Sequence, residues 1–172
     1  MIKNNLFSIQ HITYVRKDLF NLLMYSIYSS INELFGKKGW GIVWRTGEIA
    51  FAELKKQGRI TEKDPILLAQ KIAKYLEEGG YGSRFVVHKM KENEFIYEIH
   101  DAAARPSVLR VKKKYGDDAV LAHFATAIMF AALKDMCNMK AEISHLEVAP
   151  TEIGVTKEKW VLSKIGNSNE GK

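Results

Sequence analysis

The sequence is poor in residues that cross-link or interrupt a chain: its 172 residues include one cysteine and three prolines. The single cysteine, Cys137, excludes an intrachain disulfide and any zinc site built from several thiolates. Disulfide frameworks are typical of secreted proteins, so this composition favours a cytoplasmic location. No run approaches the roughly 20 apolar residues of a membrane-spanning helix, and no such span is predicted.

The composition that is present is typical of one folded domain. Hydrophobic residues make up 47% of the chain and charged residues 27%, which argues against disorder. The formal net charge of +6 permits an anionic partner, but it does not indicate nucleic acid. We expect a single domain over 18–165, after an N-terminal extension over 1–17 whose apolar segment 7–15 predicts an extra strand. A disordered tail is expected over 166–172.

The apolar spacing predicts an α+β fold. Four segments have the periodicity of helices, namely those after Asp18, over 41–56, after Asp64 and after Asp117. Asp64 is expected to cap the third of these helices, Gly36 to end the first and Asn138 to end the fourth. Strands are predicted in two pairs, over 85–90 with 94–100 and over 141–148 with 159–165. Three helices, a hairpin, a long helix and a second hairpin indicate helices packed on one face of an antiparallel sheet.

Polar motifs with a defined chemistry are scarce. His145 and Glu147 lie two apart on a predicted strand and share a face, which offers two metal ligands at best, so no metal or other cofactor is expected. The simpler interpretation of this pair is a partly buried polar edge. The basic stretch 105–114 is predicted to be a solvated loop, with an anion or nucleic-acid contact as the alternative.

Apolar and small residues offer a candidate ligand pocket. The second helix contributes Gly47, whose cost of about 1 kcal/mol relative to alanine indicates a close neighbour, either the first helix or a ligand. Core packing and a cavity use the same residue types, and spacing does not separate them. The candidate lining residues are Trp44, Gly47, Phe51, Tyr97, Phe124, Ile128 and Met129.

The C-terminal segment carries a family pattern. Glu147, Gly154 and Trp160 fall in register with Glu-x-x-Cys-x-Ala-x-Gly-x-x-x-Cys-x-aromatic, a pattern of the vinyl-4-reductase domain. The segment 44–47, Trp-Arg-Thr-Gly, and the order of elements also resemble this domain, which is related in fold to the small subunits of the TRAPP vesicle-tethering complex and to haem-nitric-oxide-binding domains. Pro150 and Glu158 replace the two family cysteines, so a role that depends on those thiols is not expected.

The resemblance implies a TRAPP-like fold that binds or senses a small hydrophobic ligand. One alternative is a protein-interaction module of the TRAPP type, and another is an enzyme acting on a porphyrin-like or other apolar substrate, with acid–base work by His145 and Glu147. An enzyme is less favoured because no nicotinamide-binding fingerprint is present. A homodimer is expected because the first helix is apolar on nearly all sides.

Overall fold

The computed structural model describes residues 15–166, which form five α-helices and four strands. In chain order these are α1 (Lys17–Phe35), α2 (Trp40–Lys56), α3 (Pro65–Glu78), β1 (Arg84–Lys91), β2 (Glu94–His100), α4 (Arg105–Tyr115), α5 (Phe124–Cys137), β3 (Met139–Val148) and β4 (Val155–Lys164). A short 3-10 turn, Gly36–Gly39, joins α1 to α2. Apart from Val15, the strand expected over 7–15 lies outside the described residues, as does the tail beyond 166.

The strands form one antiparallel sheet in the order β1-β2-β4-β3. Helices α2, α3 and α5 share a hydrophobic core with one face of this sheet, which confirms the predicted α+β class. The other face carries cross-strand ion pairs, of Glu94 with Lys159 (2.9 Å) and Glu98 with Lys157 (3.4 Å). Across residues 15–166, no helix is both long and apolar enough to cross a membrane.

Local signals at several element ends act as the sequence predicts. The Asp64 side chain accepts hydrogen bonds from the backbone N–H groups of Ile66 and Leu67, both at 3.0 Å, and so caps α3. Gly36 ends α1 with a φ of 51°, and Asn138 ends α5 in the left-handed conformation with a φ of 53°. These confirmed ends depend only on neighbouring residues.

Two predictions about the middle of the chain are wrong. The basic stretch 105–114 is helix α4 and not a loop, and the helix expected after Asp117 begins only at Phe124. Residues between them are held in an irregular conformation by Asn32, whose side chain accepts from the Val120 N–H (2.8 Å) and donates to the Val120 carbonyl (2.9 Å). Those backbone groups are therefore satisfied without a helical turn.

Candidate functional site

A groove of about 490 Å³, here called the aromatic groove, opens between α2, α5 and the edge strand β3. The Trp44 ring stacks on Phe130 with centroids 5.8 Å apart and planes 10° from parallel. Phe130 in turn meets the buried Trp160 edge-on at 5.1 Å. These contacts fix an aromatic wall, and the remaining lining consists of Glu48, Ala127, Ala131, Lys134, Met139, Lys140, Ala141, Glu142 and Ile143.

The wall stands where it does because α2 lies very close to α5. A Cβ atom placed on Gly47 would lie 2.4 Å from the carbonyl carbon of Ala127 and 2.5 Å from both its Cβ and its oxygen. Only glycine allows this approach, because the clashing atoms include backbone. Gly47 therefore has the close neighbour predicted for it, but that neighbour is α5 and neither the first helix nor a ligand.

The other candidate pocket residues do not converge on the aromatic groove. Phe51, Tyr97, Ile128 and Met129 are buried in the hydrophobic core between the helices and the sheet. Phe124 is half-buried and packs against the Tyr81 ring, with centroids 5.9 Å apart. Of the residues predicted to contact a ligand, the groove thus contains Trp44 alone.

His145 and Glu147 share a face of β3, as their spacing predicts. The His145 Nε2 atom lies 2.9 Å from Glu147 Oε1, and the two side chains are 62% and 63% exposed. The pair is therefore a solvent-facing contact outside the aromatic groove. Within residues 15–166, no three or more histidine, cysteine, aspartate or glutamate side chains are grouped to hold a metal ion.

A second, smaller cavity of about 50 Å³ lies where α4, α5 and β4 meet, and we call it the polar cavity. Glu158 borders it at 1% exposure. Its carboxylate accepts from the Thr126 hydroxyl at 2.9 and 3.0 Å and from the Trp160 Nε1–H at 2.7 Å. His123 Nδ1 lies 3.5 Å from the same carboxylate. The full lining is Tyr81, Ile99, Ala102, Ala104, Arg105, Val108, Leu121, Ala122, His123, Thr126, Val148, Thr156 and Glu158.

The surroundings of the polar cavity shift the pKa values of its titratable groups. Burial raises the pKa of the Tyr81 hydroxyl, and the interactions with Tyr28 and with the negative charge of Glu158 raise it further. Burial also lowers the pKa of Arg105, while the nearby charge of Asp101 opposes that shift. The sequence interpretation did not identify Arg105 and Glu158 as site residues. It placed Arg105 in a solvated loop, and it began the last strand at residue 159, one position after Glu158.

Comparison with known proteins assigns the chain to no family. No family model matches the chain, and no curated protein matches it. The resemblance to the vinyl-4-reductase domain therefore remains a prediction carried by Glu147, Gly154 and Trp160. In the structure Trp160 is fully buried, Glu147 is exposed, and Gly154 lies in the β3–β4 connection with a φ of 134°.

Proposed function

We propose that this protein binds a small apolar molecule in the aromatic groove. The observation that carries the proposal is the Trp44–Phe130 stack, which walls an apolar groove of about 490 Å³. Ligand pockets generally measure about 300–1,000 Å³ and are lined mainly by apolar and aromatic side chains. A location between helices and sheet also agrees with the ligand-binding module that the family resemblance implies.

The charged residues of the groove favour an uncharged ligand. Glu48 accepts from Lys134 at 3.3 Å and from Arg45 at 2.8 Å, and Lys140 pairs with Glu142 at 2.5 Å. Because these charges are already paired with one another, none is left to select a charged ligand. The apolar lining is therefore the surface that contributes to binding, and its flat aromatic wall favours planar molecules.

Titration with the apolar dye Nile red tests this proposal. Trp44→Ala removes the exposed part of the wall, and we expect it to weaken Nile red binding at least tenfold, the equivalent of about 1.4 kcal/mol. Ile49→Ala is the matched control, because Ile49 is 57% exposed on the same helix and does not line the groove. Equal affinity of the wild type and the Trp44 variant would contradict the proposal.

A second proposal concerns assembly, and it is carried by α1. One side of this helix, here called the α1 outer face, presents large apolar side chains that are 41–74% exposed. Its members are Leu19, Leu22, Leu23, Ile27 and Leu34. An apolar stripe of this kind on a helix normally packs against another surface. We propose that it pairs with the same face of a second copy, as in TRAPP-like assembly.

Hydrogen bonds on the inner side of α1 prevent the helix from rotating its leucines into the core. Asn21 donates to the Ala103 carbonyl at 3.0 Å and accepts from the Ser107 N–H at 3.1 Å. Asn32 binds both backbone groups of Val120 in the same way. Rotating α1 about its axis would break all four hydrogen bonds and leave buried backbone groups without partners. A second copy is the partner that fits, because a twofold axis brings identical apolar stripes together.

Sedimentation equilibrium at micromolar concentration tests the dimer. We expect the wild type to have twice the 19.6 kDa chain mass, and the double variant Leu22→Lys/Ile27→Lys to have that mass once. Ile49→Lys adds a charge at an exposed apolar position on another helix, and it should leave the dimer intact. A monomeric wild type would contradict this assembly without affecting the ligand proposal.

A further inference from the structure

We propose that the polar cavity binds a carboxylate group and that Arg105 is the residue that holds it. This inference goes beyond the apolar ligand proposed above, because the two sites use different residues of α5. The aromatic groove contacts Ala127, Phe130 and Ala131 of α5, whereas the polar cavity contacts Thr126 of α5 and His123, which precedes the helix. The proposal depends on the contacts of the Arg105 guanidinium.

Arg105 is a buried cation with few partners. It is 2% exposed, its Nη2 donates to the Thr156 hydroxyl at 2.8 Å, and its Nη1 donates to the Ala149 carbonyl at 3.5 Å. Its Nε atom is buried and has no hydrogen-bond partner among residues 15–166. The nearest charge that acts on it is that of Asp101, whose carboxylate is bound by the Gly154 N–H at 2.8 Å and the Ser83 hydroxyl at 2.9 Å.

A buried guanidinium needs a negative partner. Removing a cation from water is costly, and two hydrogen bonds to neutral oxygens do not neutralise its charge. Arginine has five N–H donors, of which the described contacts use two, so three remain. The free Nε–H and an adjacent Nη–H can donate parallel hydrogen bonds to the two oxygens of one carboxylate.

The rest of the cavity is compatible with a carboxylate. Its volume of about 50 Å³ exceeds the roughly 30 Å³ share of one water molecule and accommodates a carboxylate with little else. Glu158 borders the same cavity, but its oxygens accept from Thr126 and Trp160, and among residues 15–166 it makes no hydrogen bond or ion pair with Arg105.

The carboxylate can belong to a small free acid or to the end of a longer acid. Val108, Ala122 and Val148 line the cavity and are half-buried, so an attached chain can leave the cavity between them. Acetate and hexanoate distinguish these two sources. Equal affinity for both identifies a small acid, whereas at least tenfold tighter binding of hexanoate identifies a longer one. Either result supports the carboxylate site if the binding depends on Arg105.

The experiment measures the melting temperature and binding heat of the full chain with sodium acetate at constant ionic strength. We expect acetate to raise the melting temperature in a saturable way, while equal concentrations of chloride and of the neutral isostere acetamide do not. Arg105→Gln should lose at least tenfold in acetate affinity. Lys113→Gln removes the same charge from an exposed position of α4 and should bind acetate as the wild type does.

Two results would overturn the proposal. One is a wild type that acetate stabilises no more than chloride or acetamide does. The other is a folded Arg105→Gln variant with unchanged acetate affinity. If that variant does not fold, the comparison of acetate with acetamide on the wild type decides alone. Trp44→Ala should not alter acetate binding, so failure here is distinguishable from failure of the apolar-ligand proposal.

Discussion

The close contact between α2 and α5 at Gly47 leads to an unusual prediction: adding one methyl group to α2 should destabilise the protein. Glycine is the poorest helix former after proline, and alanine is the best. Gly47→Ala would therefore gain about 1 kcal/mol on helix propensity alone. At Gly47, however, the new Cβ would lie 2.4–2.5 Å from the carbonyl carbon, Cβ and oxygen of Ala127. Two of these atoms are backbone, so no side-chain rotation relieves the clash.

The size of the effect follows from the distances. Ordinary carbon contacts lie at about 3.5–4.0 Å, so the two helices must separate by roughly 1 Å at this crossing. Overpacking of this kind costs about 1–3 kcal/mol, which equals or exceeds the gain of about 1 kcal/mol in propensity. We expect a net loss of up to about 2 kcal/mol in the free energy of unfolding for Gly47→Ala. Ala127→Gly should restore little of it, because the backbone atoms of residue 127 remain.

Gly41 provides the control within the same helix. A Cβ atom placed there meets nothing within 4 Å, so Gly41→Ala should be neutral or gain at most about 1 kcal/mol. For a chain of this length, 1 kcal/mol corresponds to about 2–4 °C in melting temperature. Gly47→Ala should therefore melt below Gly41→Ala by up to about 12 °C, measured by circular dichroism.

The refuting result is a Gly47→Ala protein at least as stable as Gly41→Ala. It would mean that α2 and α5 do not approach as closely as described. The aromatic wall would then lose its structural basis, because the same crossing sets Trp44 beside Phe130.

Other predictions concern single contacts. Asn32→Ala should lower the free energy of unfolding by about 1–3 kcal/mol, measured in urea, because both backbone groups of Val120 lose their partner. Hydrogen bonds from Gly154 and Ser83 lower the pKa of Asp101, so its stabilising effect is present above about pH 4 and is lost as the pH falls through the lowered value. Urea unfolding should accordingly separate Asp101→Asn from the wild type at pH 7, by a difference that shrinks as the pH falls below about 4. Burial and the charge of Asp64 raise the pKa of Cys137, so iodoacetamide at pH 8.5 should alkylate the native thiol more slowly than the urea-unfolded one. A strong chelator should leave the melting temperature unchanged, and a large decrease would reveal a metal site.

The parts of the fold that sequence reasoning predicted are those decided by neighbouring residues. Asp64 caps the helix that it precedes, and Asn138 ends the helix that it follows. Both hairpins join strands that are adjacent in the chain, so their pairing needs no information from elsewhere. Local hydrogen bonding and periodicity suffice for such features.

Helix α4 shows where local reasoning failed. Its run of basic residues resembles a solvated loop, yet Pro106 lies in its first turn, where proline is favoured. Val111 on its inner side packs with Tyr28 and Val43 from α1 and α2. Helix formation here depends on these distant contacts as well as on propensity, so charge alone was a poor guide.

The polar cavity could have been detected from one signal. Along β4, Glu158 lies two residues before Trp160 and four before Leu162, which are both buried, so the strand period places its carboxylate on the core face. A charged residue at an apolar position is rarely tolerated without partners. Its partner Thr126 is 32 residues away, and no spacing rule identifies such a partner.

Helix α1 presents a related case, because it buries polar side chains and exposes apolar ones. The sequence predicts a helix that is apolar on nearly all sides, whereas the structure buries Asn21 and Ser29 and exposes Leu22 and Leu23. Burying the polar side is stable only because Asn21 meets backbone groups of α4 and the turn before it. Leaving the leucines in water forgoes about 1.5–3 kcal/mol for each side chain that could be fully buried. The fold thus leaves an apolar stripe of α1 in water, and the pairing with a second copy proposed above would bury it.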